Sequence, residues 1–204
     1  MKKFLLPLLV FLTLGAILAR ADDDKKTAGD QKAAAQVAVI KTTDGDMVIG
    51  LWPDVAPNTV ANFIKLAKDG FYDGTLFHRI IKGFMIQGGD PYTKDAAKSD
   101  KWGQGGPGYT ITDEFSDKHH ELGVISMANT GSPNSAGSQF FICLGDEGFL
   151  DHHYTAFGKL IKGDDVLAKL GDTPVEASEG GEASKPTTPP KIISIKIVPA
   201  DSVK

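Results

Sequence analysis

FHRIIKGFMIQGGD occupies residues 77–90. Two short apolar runs flank Lys82-Gly83, and a glycine between two β-rich runs signals a hairpin. Side chains two apart along a strand share a face. Phe77, Arg79 and Ile81 therefore group together, opposite His78 and Ile80. In the second run Phe84 and Ile86 share one face, Met85 and Gln87 the other. Paired as a hairpin, the runs bring the neutral amide of Gln87 near Arg79. Arg79 has no acidic neighbour in this stretch before Asp90. A buried unpaired cation is strongly unfavourable, so the residue either reaches water at an edge or lines a groove. A glutamine can hold a guanidinium by hydrogen bonding without cancelling its charge. The expectation is a groove arginine whose positive charge is left uncancelled.

Working outward, most of the chain reads as strands. VAVIKTTDGDMVIGLW (37–52) has two β-rich runs around Asp44-Gly45. Apolar spacing over Pro57 to Asp69 predicts a helix, with proline near its start and Gly70 past its end. Further strands are expected at Thr75–Ile81, Phe84–Gly88, Leu122–Ala128, Gln139–Leu144, Thr155–Ile161 and Lys191–Val198. Asp164 to Leu170 reads as a short helix with Asp164 as N-cap. Residues 171–190, GDTPVEASEGGEASKPTTPP, read as a low-complexity, solvated loop. Seven or eight strands with two helices, and no regular βαβ alternation, disfavour a parallel sheet. The fold class is mainly β, an antiparallel barrel with closed edges capped by two helices.

The 204 residues carry a net charge of −4, and no basic stripe is present to meet nucleic-acid phosphates. Lys2 and Lys3 precede an uncharged apolar run over Phe4–Ala19, and Ala19-Arg20-Ala21 fits a cleavage site, the layout of a signal peptide over residues 1–21. Its removal takes away three positive charges and no negative one, leaving −7. The run is short for a membrane span, so no membrane association is expected after cleavage. Residues 22–35 read as a polar tether, and 36–200 as the folded domain. The export signal predicts the periplasm or secretion, or the ER lumen in a eukaryotic host, although no KDEL-type ending is present. Cys143 is the only cysteine and lies in an apolar run, so it is expected to be a buried hydrophobe.

A second segment has the character of the first. In GVISMANTGSPNSAGSQFFICLG (123–145) two apolar runs flank a small, polar turn region, and Gln139 and Phe141 alternate onto one face. Together, FHRIIKGFMIQGGD, the SMANTG run and GSQFFICLG resemble the cyclophilins, the peptidyl-prolyl cis/trans isomerases, over roughly residues 36–199. The resemblance implies an eight-stranded antiparallel barrel capped by two helices, in agreement with the count above. It also implies no cofactor and no metal. Position by position, Arg79 matches the family's catalytic arginine. Phe84, Met85, Gln87, Met127, Ala128, Asn129, Gln139, Phe141, Phe149, Leu150 and Tyr154 match its substrate-binding positions. Gly103, Gln104 and Thr130 match the groove rim.

Three departures stand out. Phe149 occupies a position that is often tryptophan, which removes an indole N–H and implies weak cyclosporin-type binding. Tyr154 replaces a frequent histidine but keeps an aromatic body with a polar tip. Thr130 replaces a usual alanine and narrows the secondary groove. The partners implied are proline-containing segments of unfolded proteins, and a monomer is expected. Two rivals are a non-catalytic proline-peptide-binding or chaperone module using the same groove, and a small-ligand barrel of lipocalin type.

Other features read as structural. His119-His120 and His152-His153 are poor chelates, because adjacent strand residues point apart, and they are expected to be solvated loop. His78 lies opposite Arg79. GQGGPG (103–108) lacks the strand and helix context of a phosphate loop. Trp52 and Trp102 read as packing or rim residues.

Overall fold

The computed structural model describes residues 35–203. The expected export segment and all of the tether except Ala35 lie outside the described residues. Strands β1 (Gln36–Thr42) and β2 (Gly45–Leu51) form the first hairpin. Its turn is closed by Thr42, whose hydroxyl donates to the Gly45 carbonyl at 2.7 Å and accepts from the Asp44 amide at 3.1 Å. Helix α1 (Pro57–Lys68) follows. Its first turn has no local side-chain cap. Instead Glu114, far along the chain, accepts from the amides of Asn58 and Thr59 at 3.0 and 2.8 Å. Burial pushes the Glu114 carboxyl up, but these amides outweigh it and hold it below its ordinary value. The carboxylate thus meets the donors that a helix start leaves unpaired.

Six more strands complete the main sheet: β3 (Arg79–Ile81), β4 (Met85–Gly88), β5 (Val124–Met127), β6 (Phe140–Cys143), β7 (Ala156–Lys162) and β10 (Ile192–Pro199). All pairs are antiparallel, in the order β10-β1-β2-β7-β5-β6-β4-β3. The sheet curls until its two edges meet. The closure is not a full ladder. It consists of a bridge between Leu76 and Lys191 and backbone hydrogen bonds joining Gly74 and Phe77 to Ile192 and Pro190, with Ile192 returning one to Thr75.

The interior is filled by side chains. Ile40, Met47, Ile49, Phe63, Ile86, Ile125, Phe140 and Phe157 are fully buried. Phe63 meets Phe140 edge-on at 5.7 Å and lies 5.2 Å from Phe157. A ligand barrel of lipocalin type needs that space empty, and here aromatic rings occupy it.

Three sequence expectations change. Phe77 is fully buried in the core with Ile80, not on the face of Arg79, because β3 starts only at Arg79 and strand alternation does not reach back to residue 77. Helix α2 (Asp164–Gly171) is preceded by Gly163 in a left-handed conformation (φ 95°), so Gly163 takes the cap position and Asp164 becomes the first helical residue. A Cβ at Gly163 would come within 2.6 Å of the Asp46 carbonyl oxygen, which explains the glycine. Finally, residues 171–190 are not a free excursion. They contain a further hairpin, β8 (Val175–Ala177) with β9 (Ala183–Pro186), and β9 lies against β3.

Candidate active site

The β3–β4 and β5–β6 pairs converge on one face of the barrel. In the β3–β4 ladder Arg79 lies directly opposite Gln87. In the β4–β6 ladder Gln87 lies opposite Phe141. Strand alternation then sends Ile80, Ile86, Phe140 and Ile142 into the core and leaves Arg79, Met85, Gln87 and Phe141 on the outer face. There they border a cup of about 100 Å³, completed by Phe84, Ala128, Asn129, Leu150 and Tyr154. Tyr154 meets Phe141 edge-on at 5.5 Å. Asn129 is tied across the cup's far wall by its side-chain amide, which donates to the His153 carbonyl at 3.0 Å.

A chain of amides fixes the polar wall. Gln87 Oε1 accepts from Arg79 Nη1 at 3.4 Å. Its Nε2 donates to Gln139 Oε1 at 2.9 Å. Gln139 Nε2 donates onward to the carbonyls of Gly103 and Gly105 at 2.9 and 2.8 Å. Each amide thereby has its oxygen and nitrogen assigned by its neighbours, and Gln87 turns an acceptor, not a donor, toward Arg79. A larger groove of about 440 Å³ opens beyond Gln87, Ala128 and Asn129, with Gly103, Gln104, Thr130 and Gln139 in its lining.

The glycine rim is held from below by Asp90, which the sequence reading did not single out. This carboxylate is fully buried and accepts from the backbone amides of Tyr92, Gly103 and Gly105. Amide donors satisfy a buried carboxylate that has no cation partner. A Cβ on Gly105 would sit 2.0 Å from Asp90 Oδ1, so the approach needs glycine there.

Two matched residues lie elsewhere. Met127 is 1% exposed and packs in the barrel core, because β5 turns it inward while Ala128 and Asn129 follow at the cup. Phe149 is 68% exposed. It stands outside the cup lining and leans on Phe84 with ring centroids 5.6 Å apart.

Arg79 differs from expectation in charge. Glu182, at the tip of the β8–β9 hairpin, bonds its Nε at 3.2 Å and its Nη2 at 3.1 Å. The guanidinium is therefore paired, not left uncancelled. Both side chains remain well exposed, at 38% and 48%, so water still screens the pair.

The histidine pair 119–120 also departs from a solvated loop. His120 is fully buried and stacks against Phe141, the cup's main ring, at 6.1 Å. Its ring spans Asp151 Oδ1 at 2.8 Å and Ser126 Oγ at 3.1 Å. The order Ser126, His120, Asp151 is that of a nucleophile with its base and orienting acid. Ser126 is fully buried, however, and none of the three borders the cup or the groove, so the array braces Phe141. Burial holds the His120 imidazole below its ordinary pKa despite Asp151. Burial also raises the Asp151 carboxyl, but hydrogen bonds from both histidines outweigh it and hold it well below the usual carboxylate range. His119, half exposed between Asp151 and Asp146, is raised, mainly by its hydrogen bond to Asp151.

His78 is 8% exposed, and neither ring nitrogen has a well-formed hydrogen bond. Burial lowers its pKa, which keeps it neutral. Cys143 is fully buried, and burial pushes its thiol up to about 12. Such a thiol is unsuited to nucleophilic chemistry. Among the described residues no group of three or more His, Cys, Asp or Glu is arranged to hold a metal ion.

Arg79 thus stands beside an apolar cup, joined through Gln87 to Gln139. The model of the cyclophilin type peptidyl-prolyl cis-trans isomerase family matches residues 37–197. The chain belongs to that family. A peptidyl-prolyl cis-trans isomerase of Synechococcus elongatus is 42% identical over 161 residues, covering 79% of this chain and 95% of the relative. The isomerase cyp15 of Rhizopus delemar is 41% identical over 162 residues, but this chain spans only 24% of its length. Among solved structures, a Cryptosporidium parvum cyclophilin type isomerase has a TM-score of 0.71 at 35% identity, over 80% of this chain and 98% of that one. A second structure of that isomerase, obtained in the presence of the dipeptide Ala-Pro, gives 0.70 at 34% identity, over 79% of this chain and 98% of that one.

Proposed function

We propose that this chain catalyses cis-trans rotation about X–Pro bonds in unfolded or flexible polypeptides outside the cytoplasm, and so assists their folding. The single observation that carries the reading is Arg79 at the wall of an apolar cup, with Gln87 bonded to its guanidinium. Use of an Ala-Pro dipeptide with a structural relative supports a proline ring as the cup's occupant.

The X–Pro barrier of about 18–20 kcal/mol reflects amide resonance. In the twisted transition state that resonance is lost, and the proline nitrogen regains a lone pair. A donor aimed at that nitrogen binds the transition state better than the planar ground state, which is the condition for acceleration. Arg79 supplies the donor. Phe84, Met85, Phe141 and Leu150 seat the ring and exclude water, which destabilises the planar, more charge-separated amide. Ala128 and Asn129 offer the substrate backbone an edge. The mechanism requires no nucleophile and no proton transfer.

The protein acts as a monomer in this reading. Cyclosporin-type ligands bind weakly, because Phe149 lacks an indole N–H and lies outside the cup. The location outside the cytoplasm rests on the signal-like residues 1–21.

NMR exchange spectroscopy on a short Ala-Pro peptide tests the proposal. Wild type is expected to accelerate exchange, and Arg79→Ala to lose most of the acceleration while still binding. Binding without acceleration by wild type would instead identify a proline-peptide-binding module.

A further inference from the structure

The β8–β9 hairpin brings a carboxylate to the catalytic arginine from a part of the chain that the family's site pattern does not include. We propose that Glu182 is a positioning residue for Arg79. It grips the guanidinium by its outer edge so that the remaining N–H donors stay aimed into the proline cup. The inference rests on the isomerase reading above and deepens it.

Gln87 alone is a poor holder of this side chain. It contacts only Nη1, at 3.4 Å, the long end of hydrogen-bond distance. One contact leaves a planar guanidinium free to swing about it. Glu182 supplies the second point. Its Oε2 spans Nε at 3.2 Å and Nη2 at 3.1 Å, and its Oε1 lies 3.3 Å from Nη2. A carboxylate on the Nε–Nη2 edge together with an amide oxygen on Nη1 fixes the plane. Arginine carries five N–H donors, so donors on Nη1 and Nη2 remain available.

The direction of approach decides between positioning and blocking. Arg79 stands on the boundary between the cup and a separate groove of about 430 Å³ that includes Trp102, Gly103 and hairpin residues Ser178 to Gly180. Glu182 reaches Arg79 from the hairpin and does not border the cup. Partial neutralisation is the opposing effect. With both partners partly exposed, water screens the charge loss, while the hydrogen bonds to Nε and Nη2 still restrain the plane.

The tip that carries Glu182 is itself ordered. The Ser178 amide donates to the Glu182 carbonyl at 2.7 Å, and the Gly181 amide to the Ser178 carbonyl at 2.9 Å. Gly181 takes φ +81° in this turn. Ser184, two residues on, is buried at 3% exposure. The hairpin is thus anchored where it meets β3, and its tip is fixed by its own backbone.

The test compares wild type with Glu182→Ala and Glu182→Gln, using exchange kinetics on an Ala-Pro peptide and the NMR signal of the Arg79 Nε–H, assigned by its loss in Arg79→Lys. Glu182→Ala is expected to lower kcat about two- to fivefold with KM nearly unchanged. Glu182→Gln, which keeps an acceptor oxygen, should recover part of the loss. Raising salt to about 1 M should lower the wild-type rate toward that of Glu182→Ala and leave the variant flat. The Nε–H signal should be protected from water exchange in wild type and unprotected in Glu182→Ala. An unchanged kcat in Glu182→Ala, or an increased one, overturns the proposal and marks the hairpin as a spectator or a competitor. If wild type shows no acceleration at all, the isomerase reading fails instead, and the grip stands or falls on the Nε–H signal alone.

Discussion

Gln87 faces Arg79 across the β3–β4 ladder and shows the guanidinium its amide oxygen, because its amide nitrogen is committed to Gln139. Glutamine orientation at the wall is therefore set two residues away from the arginine it serves. Gln139→Ala frees the Gln87 amide to rotate and also releases the Gly103 and Gly105 carbonyls. We expect kcat/KM to fall about tenfold, the equivalent of one charge-assisted hydrogen bond. Gln87→Glu should be worse for catalysis than Gln87→Ala despite keeping an acceptor, because a second carboxylate masks Arg79 from the cup side. Steady-state kinetics on one peptide across the three variants checks this order.

The arginine itself separates charge from shape. Arg79→Ala removes the donor, and by comparison with single oxyanion donors the rate should fall about 10²- to 10³-fold. Arg79→Lys keeps a cation but loses the fork. It cannot meet Gln87 and Glu182 at once, so it should recover only a minor part of the rate. A lysine variant within about threefold of wild type would show that charge alone suffices.

The Arg79–Gln87 pairing could be read from sequence because both residues lie on one short hairpin, and the three-residue turn over 82–84 sets them directly opposite each other. The core was legible for the same reason at Ile80, Ile86, Phe140 and Ile142, but Phe84, grouped with Ile86 by alternation, precedes β4 and lies at the cup instead. Phe77 was misplaced because alternation was extended past the point where the strand begins. Met127 was assigned to the cup on the family pattern, although it alternates inward. The contacts of Glu182 with Arg79 and of Glu114 with α1 link residues far apart in sequence. No local spacing encodes them. The β8–β9 hairpin was hidden by composition: Gly180-Gly181 among serines, glutamates and prolines looks like a linker, yet a Gly-Gly pair between short runs is also a turn signal. His120 carries no sequence mark of burial, since the Asp151 and Ser126 that satisfy it are supplied by the fold.

Chemistry without proton transfer predicts a flat pH profile. The donor is an arginine, a side chain that is not deprotonated in proteins, and burial lowers the pKa of His78, the nearest histidine in sequence. kcat/KM should vary by less than about twofold between about pH 6 and 9. Stopped-flow or NMR exchange measurements in a constant-ionic-strength buffer series check it. A bell-shaped profile centred near a histidine pKa would contradict the mechanism.

Stability, unlike rate, should depend on pH through the brace behind Phe141. Asp151 is held below its unfolded value by His119 and His120. Its contribution is therefore fully present above about pH 4 and is lost as pH falls through the lower folded value. His120 is lowered by burial. The unfolded chain binds that proton more readily, so stability also falls as pH drops below about 6.5. His119 is raised and has the opposite sign: its contribution is present below about pH 6.5 and fades as pH rises, and its exposure keeps it small. Two of the three groups thus weaken the fold on the acid side. Asp151→Asn removes the charge and replaces one of the two carboxylate oxygens, each of which serves one ring, with an amide donor, and should destabilise the domain at pH 7 by about 1–3 kcal/mol. Below about pH 4 its unfolding midpoint should fall less steeply than that of wild type, so that the two curves converge. Urea unfolding followed by tryptophan fluorescence between about pH 3 and 8 measures both. Parallel curves across the acid range would show that Asp151 is not the group whose protonation loosens the wall behind Phe141.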